Sequence, residues 1–126
     1  MSTLVTSNIS DGTTSVGTGY VVNGSAKAYG HFDMISTLTM LDSLNISSST
    51  DNGAGDTNQN FTNAFSANTY AVAGSADPYG LSGNAACINS SIDRGNSTTL
   101  AKVLTRLGTT SVDMSSAHFT IHGDLA

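Results

Sequence analysis

The chain has 126 residues, with nine aspartates, no glutamate, four lysines and arginines, and a formal net charge of −5. At roughly 100–200 residues per domain that length holds one domain, and the near-absence of the best charged helix formers excludes a helical bundle. Serine, threonine, asparagine and glycine fill 60 of the 126 positions and charged residues only 10%, against about 25% in an average soluble domain. With no basic surface to neutralise phosphates, nucleic acid is not an expected partner.

Residues 1–24 read as an extended N-terminal arm with too little apolar area to fold on itself. Leu4, Val5, Ile9, Val16, Val21 and Val22 are its spaced apolar anchors, suited to attachment or assembly by adding a strand to an exposed sheet edge. Residues 25–126 read as the body. From Ala26 to Met34, the set Ala26, Ala28, Gly30, Phe32 and Met34 alternates with Lys27, Tyr29, His31 and Asp33, the period of two of a strand. A second same-parity set, Leu38, Met40, Asp42, Leu44 and Ile46, is interrupted by Leu41, where a bulge fits. Asp51-Asn-Gly-Ala-Gly-Asp56 supplies the positive φ angles of a hairpin turn and leads to a strand around Asn60–Phe61.

Further strands are expected over Tyr70–Gly74, Ala85–Ile92, Thr98–Leu107 and Ala117–His122, with the single proline, Pro78, between the first two. Leu100, Val103, Leu104 and Leu107 ahead of Gly108 also fit helical spacing. The strand is preferred there because Thr98, Thr99 and Thr105 favour extended backbone. Many short strands at this spacing predict an all-β fold, an antiparallel β-sandwich or jelly-roll-like barrel with an extended N-terminal arm. Its core is expected to contain Phe32, Met40, Leu44, Ile46, Phe61, Tyr70, Val72, Phe119 and Ile121. Eight aromatics and no tryptophan make a thin core, which favours association, a homotrimer being the expected form.

The residues that carry chemistry elsewhere are sparse. His118, His122 and Asp124 share a strand parity, but at about 3.3 Å per residue the two histidines stand ~13 Å apart, too far to hold one ion together. His122 and Asp124 would need a third ligand, and His31 is the remaining histidine. Surface or inter-subunit hydrogen bonding is therefore the expected role of all three, and neither a metal nor a cofactor is expected. The Asp51–Asp56 loop lacks the distal glutamate of a calcium loop. Gly17-Thr-Gly19 runs into Tyr-Val-Val-Asn rather than completing a dinucleotide motif, and there is no Gly-x-Ser-x-Gly elbow. Cys87 excludes an intrachain disulfide and reads as a small core residue. Asp33, Asp42, Asp77 and Asp93 are candidate carboxylates for glycoside hydrolysis, but nothing selects a pair. No apolar run approaches the ~20 residues of a membrane span, so a membrane is not an expected partner. The expected class is non-enzymatic.

Several stretches carry a resemblance. Met1-Ser-Thr-Leu-Val-Thr-Ser-Asn-Ile, Ala26-Lys-Ala-Tyr-Gly-His-Phe-Asp, Leu44-Asn-Ile-Ser-Ser-Ser-Thr-Asp-Asn-Gly-Ala-Gly-Asp56 with Asn60-Phe-Thr, and Asn68-Thr-Tyr-Ala-Val72 resemble a family of small tailed-bacteriophage virion proteins. The family pattern is an "MSTL" start, an "AKAW-NF" strand, a "FNVSSITDNGTGDYTVNFT" hairpin and an "ANYAV" strand. The similarity resumes at Phe119-Thr-Ile-His-Gly-Asp-Leu125. Members occur in phages of marine and freshwater bacteria, cyanophages included.

The resemblance implies a structural protein on the exterior of the virion, made in the host cytoplasm, whose partners are its own copies and the major capsid protein or another virion protein. A capsid decoration or cement protein is preferred, because a chain this short lacks a fibre shaft. A short tail fibre or receptor-binding fibre tip is the alternative. A carbohydrate-binding β-sandwich module comes next, disfavoured because only Tyr20, Tyr29, Tyr70 and Tyr79 could serve as wide stacking platforms. The chain departs from the pattern at Tyr29, where the family has tryptophan, and at Thr57 and Gln59, which replace two apolar residues. That strand is expected to face solvent or to pair through a partner.

Overall fold

The computed structural model describes residues 2–77, 86–89 and 95–126. The chain runs through β1 (Asn8–Ser10), β2 (Ser15–Gly17), α1 (Thr18–Gly24), β3 (Ala28–Asp33), β4 (Thr39–Leu44), β5 (Ile46–Gly53), β6 (Asp56–Phe61), β7 (Ala71–Asp77), β8 (Ala86–Asn89), β9 (Leu100–Leu107), β10 (Thr110–Ser111) and β11 (Ser116–His122). Apart from the β1–β2 hairpin, the strands form one antiparallel sheet in the order β4-β3-β11-β7-β8-β9-β6-β5, with β10 on β9. The two ends of that path, β4 and β5, are joined in sequence by Asn45 alone, whose φ of 58° turns the corner. The sheet therefore folds back on itself as a β-sandwich, and the all-β reading holds.

Period-two alternation decides which side chains enter the core. On β3, Ala28 and Phe32 are buried while Tyr29, His31 and Asp33 lie outward, and on β11 Ala117, Phe119 and Ile121 are buried. Phe32 meets Phe119 edge-on at 6.0 Å. At the other end Phe61, Phe65 and Tyr70 form a second aromatic group with centroids 4.7–5.8 Å apart. Burial pushes the Tyr70 phenol up to about 12, and its hydroxyl donates to the Leu100 carbonyl at 2.8 Å. Gly30 lies opposite Phe119 in register, and a Cβ there would come within 2.5 Å of the ring. At Gly55, φ is +66° and a Cβ would meet the Thr105 carbonyl oxygen and the Val112 nitrogen at 2.5 Å, so the hairpin tip accepts only glycine.

Most of the expected core is present. Phe32, Phe61, Tyr70, Phe119 and Ile121 are buried, and Met40, Ile46 and Val72 pack on them half-buried. Leu44 is a correction: it is 47% exposed. The cause is the bulge expected at Leu41. His31 pairs with Asp42 but Phe32 with Met40, so Leu41 is the extra residue. Beyond it the side-chain phase inverts and Leu44 joins Tyr29 on the outer face. The core also takes in Met34, Phe65, Val103, Leu104 and Met114.

Thr57 and Gln59 bring a second correction. Strand β6 is not solvent-facing and not dependent on a partner: it lies between β5 and β9, and both residues are fully buried. They satisfy each other. The Gln59 amide donates to Thr57 Oγ1 at 3.0 Å, Thr57 Oγ1 donates to the Val103 carbonyl at 3.4 Å, and the Ser49 hydroxyl donates to Gln59 Oε1 at 2.5 Å.

Strand β9 forms as expected over the segment where helical spacing competed. Gly108, at φ +62°, opens a two-residue turn back to β10 instead of capping a helix. The expected strand Ala85–Ile92 is realised as β8, while Ala85, residues 90–92, Pro78, Tyr79, Asp93 and the side chain of Cys87 lie outside the described residues.

Candidate functional site

The N-terminal segment is not extended throughout, which corrects the expected arm. Asp11 closes the β1–β2 hairpin, its carboxylate accepting from the Thr13 and Thr14 amides at 2.9 and 2.7 Å, with Gly12 at φ +94°. Those backbone hydrogen bonds, Thr14's first, hold the Asp11 carboxyl below its usual pKa. The helix α1 follows, tied back by the Thr18 amide to the Ser7 carbonyl at 2.9 Å. At its C-terminal end the Lys27 ammonium donates to the Val22 and Ser25 carbonyls, placing a cation where the helix dipole is negative. His122 Nδ1, 3.1 Å from the Gly24 carbonyl oxygen, joins the end of α1 to β11.

None of the helix's side chains is buried. Leu4 is 86% exposed and Val5 90%. Ile9 and Val16 face each other across the hairpin, and Val21 and Val22 stand on α1, all four exposed. The six expected anchors thus share one small module, accompanied by exposed Tyr20. Asp11 is the only formally charged side chain before Lys27. Monomeric surfaces rarely gather so many unpartnered apolar groups without a use for them.

On the outer face of the body His118 and His122 stand apart along β11, as the strand spacing requires, and each has its own neighbours. His122 and Asp124 border a shallow polar depression of about 330 Å³ with Asn23, Ser66, Thr69 and Tyr70. His118 is paired with His31, which lies directly opposite it on β3. Their rings stack with centroids 4.0 Å apart and planes 24° apart. Ser116 Oγ sits 3.1 Å from His31 Nε2 and 2.9 Å from His118 Nε2. Neither Ser116 nor the cross-strand partnership was visible in the sequence, because the register between β3 and β11 sets both. Among the described residues, no three His, Cys or Asp side chains gather as a metal site, and no helix is long and apolar enough to cross a membrane.

Neither the known protein families, nor the curated proteins, nor the solved structures offer a match to this chain.

Proposed function

We propose that the chain is a non-enzymatic structural protein of the exterior of a tailed-phage particle, a homotrimeric decoration protein attached through residues 1–24 to the major capsid protein or another virion protein. The observation that carries this reading is the N-terminal module: it buries none of its helical side chains while exposing Leu4, Val5, Ile9, Val16, Val21 and Val22 beside the sandwich. A hairpin and a seven-residue helix are too short to hold their shape alone. Their apolar faces gain burial only against a second surface. The sequence resemblance favours a virion protein as that surface, and a body of stiff antiparallel strands with few charges suits a particle exterior.

The test is to delete residues 1–24 and mix the truncated chain with particles stripped of this component. The truncated body should keep its β-rich circular dichroism spectrum and sediment as a trimer, yet remain in the supernatant when the particles are pelleted. Undiminished co-pelleting would place attachment in the body and defeat the proposal.

A further inference from the structure

We propose that Asn52 is a site of spontaneous covalent modification, its side-chain amide lost as ammonia through a succinimide closed by the Gly53 nitrogen, with the Asp51 carboxylate as proton acceptor. The inference is independent of the virion reading. The chain holds two Asn-Gly pairs, Asn23-Gly24 and Asn52-Gly53, and both asparagines are exposed. A following glycine, having no Cβ, leaves the attacking nitrogen least hindered. Backbone geometry separates the two pairs. Gly24 is the last residue of α1, so attack by its nitrogen takes it out of a helical hydrogen-bond ladder. Asn52 is the extra residue of a bulge: Asp51 pairs with Thr57 and Gly53 with Asp56, and Asn52 has no register partner on β6. Its backbone can turn toward ring closure without giving up a ladder pair of its own. At Gly53, φ is +121° and open space stands where a Cβ would be, so nothing crowds the nitrogen.

The groups around the pair suit each step. The Gly53 N–H donates to Asp51 Oδ1 at 2.8 Å, so the proton that must leave the nitrogen already points at a base. The Asn52 amide donates to Asp56 Oδ1 at 3.2 Å, and Asp56 Oδ2 lies 2.8 Å from Lys102 Nζ, which fixes the carboxamide at the hairpin tip. In the reaction the Gly53 nitrogen bonds to Asn52 Cγ and the Cγ–Nδ2 bond breaks. The displaced Gly53 proton, relayed from Asp51, leaves with Nδ2 as ammonia. Water then opens the ring at either carbonyl, giving an aspartyl or an isoaspartyl residue at position 52. Water is the only co-reactant. Either product replaces an amide that donates to Asp56 with a carboxylate that repels it. The isoaspartyl product also lengthens the β5 backbone by one carbon.

The full chain, folded and in urea, is incubated at mildly alkaline pH and followed by peptide mapping. In urea, where neither pair is held, the two asparagines should convert at similar rates. In the folded chain the Asn52 peptide should gain the mass of amide-to-acid exchange and an isoaspartyl linkage several-fold faster than the Asn23 peptide. Asn52→Gln, whose longer side chain cannot close the five-membered ring, should abolish the signal. Asp51→Asn, which keeps an acceptor oxygen but loses the base, should slow conversion at Asn52 several-fold and leave Asn23 unchanged. Asn23 converting first, equal rates in the folded chain, or an Asn52 still intact after the urea sample has turned over would each overturn the site. An unchanged rate in Asp51→Asn would overturn the role of the base.

Discussion

The buried polar pair on β6 makes a prediction whose sign is not the intuitive one. Thr57 and Gln59 are both inaccessible to solvent, and the Gln59 amide has Thr57 Oγ1 as its partner. Thr57→Val keeps the shape but removes that acceptor, leaving an amide donor buried and unpaired, at a cost of about 1–3 kcal/mol. Gln59→Leu costs less, about 1 kcal/mol or below, because the Thr57 hydroxyl retains the Val103 carbonyl and half-buried Ser49 can turn to water. Replacing both at once removes donor and acceptor together, and such exchanges for apolar groups are nearly neutral. The double variant should therefore be more stable than Thr57→Val alone, with a coupling of roughly 1–2 kcal/mol. Urea unfolding of the parent and the three variants, at one protein concentration so that assembly does not intrude, measures it. Strictly additive losses, or a Thr57→Val variant as stable as the parent, would refute the hydrogen-bonded pairing.

Other outcomes follow from the packing. Phe32→Ala should cost about 3–5 kcal/mol in the same assay, whereas Leu44→Ala, outward beyond the bulge, should stay within about 0.5 kcal/mol; equal losses would contradict the phase inversion at Leu41. Gly30→Ala forces a methyl into the Phe119 ring and should destabilise by about 1–3 kcal/mol, with recovery when Phe119 is replaced by Leu. The Tyr70 phenol is raised from 10.0 to about 12, so its burial stabilises the fold fully below pH 10. That contribution should disappear as the pH climbs from 10 toward 12. Ultraviolet titration should show one tyrosine ionising late, and the loss of stability should be absent in Tyr70→Phe. Asp11, held low by the turn amides, should keep the β1–β2 turn closed above its ordinary pKa and release it only on further acidification, read from the Thr13 and Thr14 amide shifts.

Strand identity was legible because alternation is a local property. Ala28 to Asp33 and Ser116 to His122 bury every second residue as their sequence pattern requires. The turn at Gly53 and Gly55 announced itself through the residue that tolerates positive φ. The errors came where one residue changes the phase or where chemistry replaces hydrophobicity. Leu41 was recognised as an interruption, yet the inversion it imposes on Leu44 depends on which residue of β3 each residue of β4 meets. Thr57 and Gln59 look like surface residues by polarity alone. They enter the core because each presents a partner to the other, and a pattern that scores residues singly has no place for that.

The same distinction separates the N-terminal module from the histidine pair. The N-terminal anchors could be read from the sequence because their meaning lies in what they lack: apolar side chains strung through a segment with no core of its own remain exposed after folding. The histidine pair could not, because its meaning lies in what it gains. His31 and His118 are separated by most of the chain, and along β11 alone His118 shares only its strand parity with His122, about 13 Å away. Antiparallel pairing with β3 instead places His31 across from it and leaves His122 at the strand's end against Gly24. A shift of two residues in the β3–β11 register would keep every buried residue buried and break up the pair. What holds the register is therefore what builds the pair: Phe119 over Gly30, a position too tight for any side chain.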